Sequence, residues 1–343
     1  MGIRVENLLS EMHNGAPALL TSSCTHALEM ATMLIRLGPG DEVIMPSFTF
    51  PSLANAVVLR GARPRFIDVE EESLNVTVAG VSSAVNDQTK AIFVVNYGGL
   101  GTDLPELRHF ADERNLWLVE DNAHGLGGHS AGQTLGTFGH LSATSFHQTK
   151  NFSAGEGGAL IINSSELFET AQILREKGTD RAQFFAGNVD KYTWVGVGSS
   201  WVLSEVAAAL LVSQLTNVEA ILERQRSVWN RYFEELHDWA HEKDISLPPD
   251  PNTHPNTGHI FYLLFNEDGA RDRLIEHLST NGIVAPLHYQ PLHRSSFGSQ
   301  FADPNANLHI SDRAGDNLVR LPMSRALTSD DVSYVIECVK MFS

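Results

Sequence analysis

The chain has 343 residues, 41 of them acidic and 24 basic, for a formal net charge of -17 at pH 7. That length suits a large α/β domain followed by a smaller one, taken here as residues 1–238 and 239–343. The acidic balance argues against nucleic acid, because the summed field repels polyphosphate backbones; it still admits a small anion held by backbone amides and one or two arginines.

Cys24 and Cys338 form no C-x-x-C pair and build neither a disulfide framework nor a zinc site, so no metal is expected. The most apolar long stretch, residues 206–215, falls well short of the roughly 20 residues that span a bilayer, and no secretory signal opens the chain. A cytoplasmic protein with no membrane partner is the expectation.

In chain order, the polar turn Thr21-Ser22-Ser23-Cys24-Thr25 precedes Ala27, Leu28, Ala31, Leu34 and Ile35 at helical spacing, and Gly38-Pro39-Gly40 stops the helix. Short apolar runs follow at 42–45, 65–69, 91–97, 116–121, 143–147 and 159–163, several separated by helix-length mixtures. Strands alternating with helices predict a mostly parallel sheet. Residues 204–241 predict one or two long helices, with Ala207, Ala208, Leu211 and Leu215 on one face. Beyond Pro248 the pattern predicts strand 260–265, helix 268–281, strand 283–289 and a closing helix. Thr328-x-x-Asp331 marks the start of that last helix as a capping box.

The strand at 116–121 ends in Glu120-Asp121-Asn122-Ala123-His124, which puts an acid at a carboxyl end of the sheet, where α/β ligands bind. Taken alone, such an aspartate is as readily a cap or loop carboxylate. After the next strand stands Ser145-Phe146-His147-Gln148-Thr149-Lys150-Asn151, and then Ser153-Ala154-Gly155-Glu156-Gly157-Gly158. Most lysines are solvated surface charges. Lys150 differs in its small or hydroxylated flanks and in a glycine-rich return that lets a bulky aromatic ligand approach the backbone.

With the hydroxyl-rich helix start at Ser23, Cys24 and Thr25, these are the three parts that pyridoxal phosphate needs. An amine forms the Schiff base and moves the proton, a carboxylate keeps the pyridine nitrogen protonated, and a helix start binds phosphate. The same turn also reads as an ordinary N-cap.

The ordered set Ser23-Cys24-Thr25, Pro46-Ser47-Phe48-Thr49-Phe50, Glu120-Asp121-x-x-His124 and Ser145-Phe146-His147-x-x-Lys150 resembles the DegT/DnrJ/StrS sugar aminotransferases over almost the whole chain. Glu176-Lys177-Gly178-Thr179-Asp180-Arg181 through Asp190-Lys191-Tyr192-Thr193-Trp194 looks closest to the branch that makes dTDP-4-amino-4,6-dideoxygalactose for cell-surface polysaccharide. The resemblance implies a type I pyridoxal-phosphate aminotransferase fold, with a large α/β/α sheet domain and a smaller C-terminal α/β domain. It also implies a homodimer with shared active sites, and transfer of an amino group from L-glutamate to a nucleotide-linked ketosugar.

Roles follow at matching positions. Lys150 becomes the Schiff-base lysine, Asp121 the pyridinium partner, Phe50 the aromatic that stacks on the ring, His124 a neighbour of the ring, and Ser145 with Ser23, Cys24 and Thr25 the phosphate cradle. Phe50 as plain core is the rival reading. The resemblance assigns the sugar nucleotide to Tyr97, Arg181, Tyr192, Trp194, His288, Tyr289 and His293, each of which also reads as core or interface.

Three departures from the family pattern stand out. The phosphate turn lies only about twenty residues into the chain, so a glycine-containing segment near the sugar is expected to be missing. Asn96 stands where histidine is common, and Ser199 or Ser200 stands in for an asparagine that members lend to the partner's phosphate.

Rival chemistries fail on context. Gly128-His129-Ser130-Ala131-Gly132 matches the serine-hydrolase G-x-S-x-G pattern but lacks a strand running in and a helix running out. Gly99-Leu100-Gly101 lacks the third glycine of a dinucleotide fingerprint, and His241-Glu242 lacks the second histidine of a zinc hydrolase. A non-catalytic sensor or partner subunit would need neither Lys150 nor Asp121, and both are retained.

Overall fold

The computed structural model describes residues 1–342. The strands are β1 (Ala18–Thr21), β2 (Glu42–Pro46), β3 (Arg63–Ile67), β4 (Thr89–Val95), β5 (Trp117–Asp121), β6 (His129–Ser130), β7 (Gln133–Thr134), β8 (Leu141–Ser145), β9 (Gly158–Ile162), β10 (Ile245–Ser246), β11 (Tyr262–Phe265) and β12 (Leu318–Arg320). The helices are α1 (Gly2–Met12), α2 (Cys24–Leu34), α3 (Pro51–Val58), α4 (Val78–Ala84), α5 (Leu104–Glu113), α6 (Phe168–Arg175), α7 (Arg181–Phe185), α8 (Glu205–Leu215), α9 (Val218–Glu242), α10 (Ala270–Thr280), α11 (His309–Asn317) and α12 (Ser329–Lys340).

Seven strands form the central sheet in the order β1-β9-β8-β5-β4-β2-β3. The run from β3 to β8 is parallel, and β9 and β1 close the edge antiparallel. The predicted mostly parallel sheet is therefore present as a mixed one. Strands β2, β8 and β9 are buried at every position, as expected of a sheet covered on both faces. One apolar cluster joins Leu28, Ala31, Val43, Ile44, Leu53, Phe93 and Leu107 around the sheet. A second joins Val5 and Leu9 of α1 with Ile161, Ala208 and Leu211.

The long helical region predicted at 204–241 is two helices, α8 and α9, meeting at a bend of 72°. Among the described residues no single helix is long and apolar enough to cross a membrane. From Val228 onward α9 packs on Phe261, Leu263, Leu274 and Val335, the core of a smaller unit built on the sheet β10-β11-β12. Trp229 is anchored there by its indole N–H, which donates to Ile260 O at 2.7 Å.

The strand expected at 283–289 does not form. Leu287 makes a single bridge to Val319, and Pro286 has no N–H to give, so its carbonyl accepts from Arg320 N at 3.1 Å and the ladder stops. The chain instead turns His288 and Tyr289 inward.

The closing helix starts as its sequence dictates. Thr328 Oγ1 accepts from Asp331 N at 3.1 Å, and Asp331 Oδ2 accepts from Thr328 N at 2.8 Å. Thr328→Ala removes one half of this reciprocal cap, and denaturant unfolding of the variant should show a loss of about 1 kcal/mol. A change below about 0.3 kcal/mol would mean that packing alone fixes the start of α12.

Candidate active site

A cavity of about 1250 Å³ opens at the carboxyl ends of β4, β5 and β8. Parallel strands deliver loops of like direction to that end, and the first turn of α2 arrives there too. Asp121, Lys150, Ser23, Cys24, Thr25, Phe50, His124, Ser145, His288 and Tyr289 all line it.

Asp121 is the last residue of β5 and is 6 % exposed. Its Oδ1 accepts from Ala123 N at 3.1 Å. Burial pushes the carboxyl above its ordinary range, while that hydrogen bond and the Lys150 ammonium pull it back down. A second cation placed against Asp121 would hold it ionised for the same reason.

Lys150 lies five residues beyond β8, in a loop closed by Phe146 N donating to Gly157 O at 2.8 Å and Gln148 N to Gly155 O at 2.9 Å. Burial lowers the affinity of its amine for a proton, with Asp121 opposing that shift. The neutral amine needed to attack a carbonyl is therefore more accessible than on a surface lysine.

Gly157 of the glycine-rich return lines the cavity. Gly158 answers a different constraint. A Cβ there would sit 2.4 Å from Cys24 N and 2.5 Å from Ser23 O, so the bare backbone lets the start of α2 press against β9.

At that start Ser23 Oγ accepts from His26 N at 3.1 Å, which makes Ser23 the N-cap. The N–H groups of Cys24 and Thr25 fall in the first turn, where a helix offers its own amides no acceptor, and they face the cavity with the positive end of the helix dipole. Thr25 Oγ1 is 2.8 Å from Ser52 Oγ at the start of α3. These groups fit a phosphate.

Phe50 is 55 % exposed, which removes the reading of it as core; Phe48, two residues earlier, is the buried ring. Tyr97 is fully buried and sits behind the lining, with its hydroxyl 2.7 Å from His288 Nδ1. Asn96, the residue standing where histidine is common, is a strut: its Nδ2 donates to Glu120 Oε2 at 3.0 Å and to Asn122 Oδ1 at 2.9 Å.

His124 stacks in a cluster with His259 and His288, its ring centroid 4.6 Å and 6.1 Å from theirs. Burial, then neighbouring positive charge, holds all three well below the usual histidine range, so they are neutral at physiological pH. Gly98 N donates to His124 Nδ1 at 3.4 Å, which leaves the proton of the neutral ring on Nε2, toward Tyr289 Oη at 3.4 Å.

The other predicted residues lie elsewhere on the chain. His293 is hydrogen-bonded to Ser47 Oγ at 2.6 Å and pairs with Asp312. Arg181 pairs with Glu176 at 3.6 Å and covers the ring of Phe185. Tyr192 and Trp194 are exposed, Trp194 at 78 %, and Ser199 and Ser200 are exposed beside them. None of these six lines the cavity.

The cavity also holds Gln225, His259, Arg320 and Arg325, which the sequence did not single out. Tertiary contact alone brings them in, from α9 and the smaller unit. Ser130, of the hydrolase-like motif, sits in the β6-β7 hairpin and donates to Gly101 O at 2.8 Å, with no nucleophile elbow around it.

Known proteins share this fold. TlmJ, an aminotransferase from Streptoalloteichus hindustanus, is 29% identical, with 99% of this chain and 89% of that one covered and a TM-score of 0.88. A DegT/DnrJ/EryC1/StrS aminotransferase from Brucella abortus is 28% identical over 99% and 89% of the two chains, with a TM-score of 0.88. DesV from S. venezuelae is 27% identical over 99% and 88%, with a TM-score of 0.89.

The type I aminotransferase fold expected from the sequence is thus the fold present. The family model described as the DegT/DnrJ/EryC1/StrS aminotransferase family matches residues 3–340. A cavity built from a strand-end carboxylate, a buried amine and a helix start, on a chain matched almost end to end, makes this protein a member of the pyridoxal-phosphate-dependent DegT/DnrJ/EryC1/StrS aminotransferase family.

Proposed function

We propose that this protein transfers an amino group from L-glutamate to a ketone carbon of a nucleotide-linked sugar. The substrate that best fits the resemblance of Glu176 through Trp194 is dTDP-4-keto-6-deoxy-D-glucose, giving dTDP-4-amino-4,6-dideoxy-D-galactose for cell-surface polysaccharide. The observation that carries the chemistry is the convergence of Lys150 and Asp121 on one cavity. The two unpaired cysteines, Cys24 and Cys338, fit a reducing compartment such as the cytoplasm.

Bound here, pyridoxal phosphate supplies a carbonyl for amines and a ring that accepts electrons from a carbon losing its proton. Lys150 Nζ holds the cofactor and then moves the proton at the reacting carbon, a task suited to an amine whose affinity for protons is lowered by burial. Asp121 keeps the proton on the ring nitrogen. The amides of Cys24 and Thr25, with the Ser145 hydroxyl, take the phosphate, and Phe50 and His124 contact the ring. His288 and Tyr289 wall the same cavity from the smaller unit and face the sugar.

The exposed apolar run of Phe184, Phe185, Tyr192, Trp194, Val195 and Val197 supports a homodimer. A contiguous patch of that kind on a soluble chain marks a partner surface. In a shared site, Arg181, Tyr192, Trp194 and Ser199 or Ser200 serve the cavity of the second copy.

Four outcomes check this reading. Lys150→Ala should abolish the borohydride-reducible visible chromophore, and a variant that still forms a reducible adduct rejects the assignment. Asp121→Asn should keep cofactor but lose turnover by about 100-fold or more, whereas near-wild-type rates contradict the role given to the carboxylate. Trp194→Asp should shift sedimentation toward the monomer and lower turnover with it. Incubation with glutamate and 3-keto or 4-keto dTDP sugars, read by NMR, should yield the axial 4-amine; a 3-amine redirects the substrate, and no amine from either sugar removes the sugar reading.

A further inference from the structure

Ser47 stands just beyond the end of β2 and is fully buried. Its Oγ is 2.6 Å from His293 Nδ1 and accepts from His293 N at 3.3 Å, while its carbonyl accepts from Leu292 N at 2.9 Å. On the far side of the imidazole, Nε2 faces Asp312 Oδ1 at 3.2 Å. Serine, histidine and aspartate in that order are the groups of a hydrolytic triad. A nucleophile has to reach its substrate, however, and Ser47 is sealed, with none of the three on the cavity wall.

The arrangement closes a circuit instead. Ser47 N donates to Ile67 O at 3.0 Å, which ties the end of β2 to the end of β3. Asp68, the next residue, accepts from Ile310 N at 3.0 Å, from Ser311 N at 2.8 Å and from Ser311 Oγ at 2.6 Å. A carboxylate set on first-turn amides that have no partner within their helix pins the start of α11 to the large unit. The same helix carries Asp312, which returns the path to His293 and Ser47. It also carries Gly315, where a Cβ would come within 2.3 Å of Pro291 Cδ, so α11 presses directly on the segment that leads into His293.

This circuit brackets two aromatic rings on the wall of the main cavity. Phe50 follows Ser47 by three residues, and Tyr289 precedes His293 by four. Their ring centroids are 6.0 Å apart, and Phe48 backs Tyr289 at 5.7 Å. Neither ring belongs to a strand: residues 47–50 connect β2 to α3, and the pairing that would have carried Tyr289 stops at Pro286. No sheet ladder sets the distance between the two rings. The links through Ser47 and His293 do.

We infer that His293 is a positioning residue, which acts through Ser47 to fix the gap between Phe50 and Tyr289 and thereby the fit of the sugar against the cofactor ring. This rests on the transamination reading above, in which Phe50 contacts the ring and Tyr289 faces the sugar. It replaces a direct contact of His293 with the sugar nucleotide by action at one remove. The gap matters because a misplacement of about 1 Å far from the chemistry can cost roughly 100-fold in rate.

Two substitutions separate positioning from packing. His293→Leu keeps apolar bulk and removes both links; His293→Asn places an amide near the position of Nδ1 and keeps only the link to Ser47. Visible circular dichroism of the bound pyridoxal phosphate reports the seating of the ring without turnover. The leucine variant should alter that signal at full cofactor occupancy and raise KM for the dTDP ketosugar roughly tenfold, with the glutamate half-reaction changed by less than about threefold. The asparagine variant should recover most of both. Ser47→Ala should reproduce the effect of His293→Leu, and combining the two should cost little more than either alone. The alanine variant serves by itself if the leucine variant does not fold.

An unchanged dichroism together with an unchanged ketosugar KM overturns the assignment. So do additive losses from His293→Leu and Ser47→Ala, or an equal loss in both half-reactions with a lowered Tm that asparagine does not recover, which signals a purely structural role. Wild-type enzyme that responds to glutamate but aminates no ketosugar would sink the sugar reading, and the dichroism of the variants then decides the role of His293.

Discussion

Two carboxylates adjacent in sequence, Glu120 and Asp121, end the same strand, and the rest of the site depends on their being sent to opposite faces. Alternation along β5 sends Asp121 into the cavity and Glu120 beneath the sheet. Glu120 is fully buried and accepts four hydrogen bonds, from Gly136 N, Phe138 N, Gly139 N and Asn96 Nδ2. Desolvation still raises its proton affinity, but the donors compensate much of that cost. The result is a strand end clamped from behind, so its neighbour has a fixed direction.

The remaining chemistry is set by dryness. Burial keeps His124, His259 and His288 neutral, lowers the basicity of Lys150 and raises the proton affinity of Cys24, so few permanent charges face the cavity. In such a place each remaining charge acts at long range, because little water screens it. Asp121 and Arg320 are two such charges on the wall of the cavity.

How far the sequence disclosed this differs from residue to residue. Asp121, Lys150 and the Ser23 to Thr25 turn were legible because each sits at the end of a recognisable element or in the loop that follows it, in an order that matches one chemistry. Phe50 was ambiguous, since a phenylalanine looks alike in a core and on a wall; only its exposure decides. The misread strand at 283–289 had the right apolar content, yet Pro286 and a single bridge to Val319 end its pairing. His259 and Arg320 gave no local sign, because distant segments of the smaller unit deliver them. For the exposed residues from Arg181 to Ser200, a single chain's pattern shows polarity and aromaticity but not the surface they meet.

The contact at Gly158 separates two properties that are easily confused. No side chain fits between β9 and the backbone of Ser23 and Cys24, so a glycine at this point records that the anion cradle is built, whatever reaction follows. The amine at position 150 records something else, which under the proposed function is that the cradle is put to chemical use. A descendant that traded catalysis for signalling could shed the lysine while keeping the glycine, and the loss of both would mark the collapse of the cradle itself.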